Sequence, residues 1–419
     1  MGTIADERDR QRQNASATAT EISASGSPLD QFCERVLADV SLHDKLLQPN
    51  DTDQFITLVL DTAANCGFHL SAEAVRAKMP NRLPGLDGLI NAAVRETPLP
   101  PEGWLPIQTS WQRDQLYVHW SYFGAMRLNA PFFEGSIQRS QSKPFNRLFR
   151  YVTPITKLPE WLRTHPGLQP SGFIFHMSRC GSTLVSQMLA ALDDSVVISE
   201  ASPLDTVVRA RQVRPGLSDD DHARWLNWIV SALGQPRGGG ERHYFIKLDC
   251  WHTLALPLFR RAFPTVPWVF LYRDPVEVLV SQFRMPGMQM IPGMVGPDVF
   301  GMESSYDLQN RDDYCARVLA KICAPIAQQY SKTIGLLVNY RQLPEALWET
   351  IMPHFGVACS ERDRVAMKDT ARYDAKAPGL QFAPDVATKQ QEAGAKTRSV
   401  AAEQLGGIYR RLEELRLGA

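Results

Sequence analysis

From residue 171 onward, short and nearly unbroken apolar runs recur, and segments of helical period separate them. The first run is Phe173-Ile174-Phe175, after the turn signal Pro170-Ser171-Gly172. Leu184, Val185, Met188, Leu189 and Leu192 then return at helical spacing. Val196-Val197-Ile198 is a second run, closed by Ser199-Glu200. Ser202-Pro203-Leu204-Asp205 behind it reads as a helix cap, an early proline and a first-turn acid. Tyr244-Phe245-Ile246-Lys247 is the third run. Trp268 to Tyr272 is the fourth, followed by Arg273-Asp274-Pro275 and a helix. Gly335 to Tyr340 is the fifth, followed by a helix from Pro344 to Phe355. Continuous apolar strands that alternate with helices predict an α/β fold. Its parallel sheet is flanked by helices, buried on both faces, and open to ligands at the strand C-termini.

The pattern differs upstream. Residues 1–28 are polar, rich in Ala, Ser and Thr, and read as a disordered tail. Residues 29–80 read as a small helical module. Phe32, Val36 and Leu37 mark one helix, Phe55, Val59 and Leu60 a second with Asp51 to Asp53 as caps, and Ser71 opens a third. Pro98, Pro100, Pro101 and Pro106 suggest a linker over 81–110. The stretch 111–170 is an aromatic-rich subdomain, read as strands and then a helix near 145–151, with the sheet domain over 171–419. Its rings are interleaved with Arg139, Lys143, Arg147 and Arg150, which fits inward packing better than nucleic-acid binding.

Charge and cysteine content narrow the setting. Lys and Arg number 45 and Asp and Glu 45, so no net field draws in nucleic acid or an anionic membrane. The seven cysteines (33, 66, 180, 250, 315, 323, 359) are scattered and lack C-x-x-C spacing, which suits a reducing cytoplasm. No apolar run reaches membrane-spanning length, no signal peptide is evident, and Asp6 stands where a myristoylation site needs Ser or Thr.

Candidate chemistry gathers at the ends of the strands. Ser178-Arg179-Cys180-Gly181-Ser182-Thr183 joins a strand to a helix. A glycine there admits close backbone approach, and unpaired N–H groups at a helix N-terminus favour an anion. Laid on the Walker A pattern, Ser182 replaces the lysine that reaches the terminal phosphates of a nucleoside triphosphate, and His176 replaces the first glycine. Glu200, Lys247, Arg273 and Tyr340 close the following strands, so the notable polar groups share one edge of the sheet.

These residues carry a resemblance. Ser178 to Leu184 resembles the 5′-phosphosulfate loop of sulfotransferases that use 3′-phosphoadenylyl sulfate (PAPS). Tyr272-Arg273-Asp274-Pro275 through Ser281 resembles their 3′-phosphate motif, with the serine eight residues after the arginine. Leu337 to Leu343 resembles the late strand with its tyrosine, and the spacing of Arg179, Glu200, Lys247, Arg273 and Ser281 is nearest the tyrosylprotein sulfotransferase branch. The resemblance runs from about 171 to 417 and implies a P-loop-like fold. It also implies PAPS as co-substrate and in-line sulfuryl transfer without a metal. Arg179, Cys180, Gly181, Ser182, Thr183 and Leu184 would hold the 5′ side, Arg273 and Ser281 the 3′-phosphate, and Tyr340 the nucleotide. Lys247 and Arg179 would meet charge on the leaving oxygen, and Glu200 would take the acceptor proton. His176 and His252 rank below Glu200 as bases, and Cys180 reads as a small tolerated residue. Upstream, Asp53-Gln54-Phe55, Cys66-Gly67-Phe68 and Leu70 to Val75 resemble a Nif11 domain, a module tied to peptide natural products.

Two other classes stay open: a non-catalytic peptide-binding or regulatory protein, and a nucleotide kinase. The missing Walker lysine opposes the kinase, and the presence of Lys247 and Glu200 opposes a dead enzyme. The acceptor, an alcohol or amine in a peptide or small natural product, is not written in the sequence, nor is the oligomeric state. Met285 to Met294 reads as a mobile loop, a lid or an acceptor wall. Arg209, Arg211 and Arg214 read as a solvated basic face or a greeting for an acidic acceptor.

Overall fold

The computed structural model describes residues 26–79, 95–296, 299–302 and 310–418. Most of the expected N-terminal tail, residue 80 of the expected helical module and 81–94 of the expected linker lie outside them. The chain divides into two compact units. One joins the N-terminal segment to Gln141–Tyr151; the other holds Pro84–Ser140 and Val152–Ala419.

In the first unit, helix Pro28–Ala38 begins at a capping box of Ser27 and Asp30. Helix Thr52–Asn65 begins at Asp51, whose carboxylate accepts from two backbone N–H groups, and helix Ala72–Lys78 begins at Ser71. Phe32 and Phe55 are buried against Phe149, each with ring centroids 6.3 Å away. The Tyr151 hydroxyl donates to the Leu37 carbonyl. Residues 141–151 therefore belong to this helical core rather than to the aromatic subdomain expected over 111–170, because their rings complete it.

In the second unit, strand β1 (Trp104–Gln112) begins inside the segment read as a linker and pairs antiparallel with β2 (Gln115–Tyr122). The short β3 (Tyr151–Pro154) follows β2 in this three-stranded sheet. Trp120 and Trp161 pack with centroids 4.7 Å apart, and Trp120 donates to Thr153. The helix expected near 145–151 is Pro144–Leu148, which belongs to the first unit.

The main sheet has five strands: β4 (Gly172–His176), β5 (Ser195–Ser199), β6 (His243–Lys247), β7 (Trp268–Tyr272) and β8 (Gly335–Asn339). Their spatial order is β5-β6-β4-β7-β8, and all four pairings are parallel. This is the expected α/β architecture. Phe175 is fully buried and packs its edge against Phe259 at 5.4 Å and Trp268 at 6.0 Å. Truncating such a ring to alanine costs about 3–5 kcal/mol. The chain leaves the central β4 for β5 and β6 on one side, then crosses to β7 and β8 on the other, which leaves a crevice at the strand C-termini.

Local expectations fail in two places. The helix Ser202–Val208 is entered from Ala201 without a side-chain cap, and the Ser202 hydroxyl instead donates to the Ile107 carbonyl at 3.4 Å. The segment after Pro344 is a π-helical turn, Leu347–Ile351, followed by Met352–His354. The sequence reading missed a hairpin of β9 (Tyr373–Asp374) and β10 (Ala377–Gln381), and the long helix Ala395–Leu417. No described helix is long and apolar enough to cross a membrane. All seven cysteines are free thiols.

Candidate functional site

After β4 the backbone turns through three left-handed residues: Ser178 (φ +78°), Arg179 (φ +52°) and Gly181 (φ +84°). Non-glycine residues rarely adopt this region, so the turn stores conformational strain. Gly181 caps helix Ser182–Ala190, whose first N–H groups have no partner within the helix. Ser182 and Thr183 are buried, and their hydroxyls bond to no other described residue. Leu184 is half-buried in the first turn. Cys180 is fully buried; its thiol donates to the Leu271 carbonyl at 3.0 Å, and burial pushes it up to about 12. It is not a nucleophile in this state.

Two glutamines brace the turn from outside, and Arg179 within it reaches out. Gln282 and Gln289 donate to the Ser178 hydroxyl at 2.9 and 3.1 Å. The Arg179 guanidinium donates to the Met285 carbonyl, while its Nε is buried with no partner.

Glu200, just past β5, also has a left-handed backbone (φ +53°), and its N–H donates to the Lys247 carbonyl at 2.8 Å. That bond ties the ends of β5 and β6 together. It turns the Glu200 carboxylate onto the Lys247 ammonium, which is fully buried. Burial raises the Glu200 pKa, but the Lys247 charge and a contact with His176 outweigh it and hold the group well below the usual 4.5. The Lys247 ammonium also lies 4.7 Å from the centre of the Phe132 ring.

His176 is committed elsewhere. Its Nδ1 accepts from the Ser178 N–H at 3.1 Å, and its Nε2 lies 2.9 Å from the Leu248 carbonyl and 3.5 Å from Glu200. Burial lowers its pKa, so the ring is neutral with its proton on Nε2. His252 lies 3.0 Å from Asp205 and 3.7 Å from Asp249. Among the described residues these three bring ligand atoms within 4.8 Å of one another. Asp205 is already engaged by His252, by Trp251 at 2.7 Å and by Arg209 at 3.3 Å. Asp249 makes no capping bond, and burial raises its carboxyl to about 7.

The segment that resembles a 3′-phosphate motif directly follows β7. Asp274 caps helix Pro275–Arg284. Arg273 is buried; it donates to Glu277 at 2.6 Å and to Asp385 at 2.8 Å. Lys389 shares Asp385 at 2.6 Å. Arg273 thus already has carboxylate partners, and a phosphate there must compete with Asp385, the more exposed of the two. Ser281 is half-buried two turns along the same helix, and its hydroxyl bonds to no other described residue. Tyr340 joins the two motifs. Its ring stacks 3.9 Å from the Arg273 guanidinium carbon, and a methyl on Gly181 would stand 3.0 Å from the same ring.

Sequence reasoning missed Lys376, Phe132, Gln282, Gln289 and Asp249. Lys376 sits in the turn between β9 and β10, 5.8 Å from the Phe132 ring that also faces Lys247. Burial among protein walls and the charge of Arg179 pull its ammonium down to about 8, although it stays open to solvent. No motif marks Lys376, because only folding brings its hairpin to the strand ends. Arg209, Arg211 and Arg214 are not a free basic face: they engage Asp205, Asp219 and the Trp225 ring.

The chain matches no family model and no curated protein. Among solved structures it is similar to a sulfotransferase domain from the curacin biosynthetic pathway. Identity is 15% and the TM-score 0.35, over 56% of this chain and 98% of that one. Sulfotransferase STF9 from Mycobacterium avium is 13% identical with a TM-score of 0.36, over 60% of this chain and 81% of that one. The sulfotransferase domain of the Synechococcus PCC 7002 olefin synthase is 18% identical with a TM-score of 0.36, over 60% and 96%.

Proposed function

We propose that the chain moves a sulfuryl group from PAPS to the hydroxyl, or amine, of an acceptor, by in-line transfer without a metal. The observation that carries this is the Tyr340 ring. It stacks on Arg273 and lies against the Gly181 turn, so one aromatic ring bridges the two segments read as anion-binding motifs. A nucleotide with phosphate groups on both its 5′ and 3′ sides fits that arrangement. Lys247 pairs with Glu200, and Lys376 feels the charges of Arg179, Lys247 and Glu200, a gathering of cations that suits the phosphosulfate end.

In the reaction the acceptor oxygen attacks sulfur as its proton passes to Glu200. The bond from sulfur to the bridging oxygen breaks, and its electron pair stays on the 5′-phosphate. Lys247 and Arg179 meet that charge. Glu200 paired with Lys247 is a weak base. Drawing Lys247 toward the donor frees the carboxylate, so base strength rises only once the donor is bound. The free cysteines and the lack of a described spanning helix support a cytoplasmic setting within this proposal. The Nif11-like helices extend it toward a peptide or natural-product pathway.

The test is direct. The 3′,5′-diphosphate product should raise the melting temperature of the full chain, and sulfur-labelled PAPS should label an acceptor in cell extract. A protein that neither nucleotide stabilises does not have this function.

A further inference from the structure

The segment from Met285 to Gly296 contains no charged residue. Its first residue is held at the reacting groups through the bond from Arg179 to the Met285 carbonyl. Gln282, which braces Ser178, also accepts from the Gly287 N–H at 2.9 Å, and Gln289 in the middle of the segment reaches the same serine. Near the other end, a methyl on Gly296 would stand 3.4 Å from the Arg209 guanidinium, just past the helix that follows Glu200. The segment is therefore a strap from the β4 turn to the helix behind β5, and Glu200 closes the strand between them.

Met290 and Val295 anchor the strap in the core, at 3% and 6% exposure. Met285, Met288, Ile291 and Met294 are left 66%, 54%, 41% and 58% exposed. Four large apolar side chains in ten residues is a concentration that marks a binding surface when it adjoins a site. Methionine is suited to this because its unbranched chain repacks around different partners. The occupant follows from position and charge. The strap adjoins the reacting groups at its Met285 end, through Arg179, where the acceptor must enter. With no charge along it, the strap has nothing to recognise an acidic peptide.

The geometry points to the strap as the apolar wall of the acceptor site, and to the acceptor as an alcohol or phenol bearing an alkyl or aryl chain. This rests on the sulfuryl-transfer reading and narrows its acceptor.

The experiment uses the full chain, PAPS, and matched series of 4-alkylphenols and primary alkanols. Each added methylene should raise kcat/KM about 2- to 4-fold until the strap is filled. In the double variant Met288→Ser and Met294→Ser that slope should flatten, while affinity for the 3′,5′-diphosphate stays as in wild type. Both residues are exposed, so the substitutions leave the core intact, and the unchanged nucleotide affinity verifies it. A flat series in wild type, a slope that persists in the variant, or transfer confined to charged peptides overturns the assignment. Nucleotide binding with no transfer to either series removes the apolar acceptor and leaves the donor reading standing. No nucleotide binding removes both.

Discussion

The Lys247 ammonium at the end of β6 is fully buried, and its carboxylate partner is Glu200 at the end of β5, one-quarter exposed. Removing the charge of Glu200 therefore strands a buried cation, which costs about 3–5 kcal/mol. Glu200→Gln should lose stability in that range by chemical denaturation, along with most of its turnover. Adding Lys247→Met should recover most of the stability and none of the activity. The pH sign follows from the depressed carboxyl. Its contribution is present above the ordinary value of 4.5 and is lost as pH falls toward the lower folded value. An equally stable Glu200→Gln variant at pH 7 would show that the pair does not hold the two strands.

Arg273 is held by Glu277 and Asp385 and stacked on Tyr340. In Arg273→Ala, affinity for the 3′,5′-diphosphate should fall at least tenfold, whereas affinity for 5′-AMP, which lacks the 3′ group, should change little. Calorimetric titration of both nucleotides separates them. Equal losses would mean that the arginine shapes the whole site instead of meeting one phosphate.

Asp249 gives stability an unusual pH dependence. Its carboxyl is raised to about 7 from an ordinary 3.8, mainly by burial. Between those values the native state holds a proton that the unfolded chain has released. Stability from this group therefore falls as pH rises through that window and is level above it. Asp249→Asn should melt at a temperature closer to wild type at pH 5 than at pH 8, and at pH 8 the variant should be the more stable by on the order of 2 kcal/mol. Melting curves of constant separation across pH 4–8 would contradict this.

At Gly181 the backbone is left-handed, and an added methyl would approach Leu343 to 2.7 Å and Tyr340 to 3.0 Å. Gly181→Ala should cost about 1–3 kcal/mol in stability. It should also weaken nucleotide binding more than the distant Gly239→Ala, where φ is +76° and nothing lies within 4 Å. A similar nucleotide affinity in the two variants would separate backbone strain from the ligand cradle.

Residues 173–175, 196–198, 244–247, 268–272 and 335–339 were legible as strands. A parallel strand covered on both faces needs an unbroken apolar run, and such runs stand out in sequence. The turn at Gly181 was legible for a similar reason, since a glycine between a strand and an amphipathic helix is a local signal. Glu200, Lys247, Arg273 and Tyr340 could be named because each closes a strand or directly follows one, and Arg179 because it lies in the glycine turn after β4. That they gather at one edge follows from the parallel arrangement alone.

What sequence could not supply was every relation between distant segments. Nothing around Lys376 distinguishes it from other surface lysines, and Phe132 reads as one aromatic among many; only the fold sets that ring beneath two ammonium groups. The rings of 141–151 were assigned to their sequence neighbours, but they fill the core of a helical unit more than seventy residues upstream. Local pattern determines which segments are strands, helices and turns, because it reflects what each must bury. The choice of partners among side chains of similar kind belongs to the tertiary structure, where packing and charge are settled between elements and leave no periodicity to read.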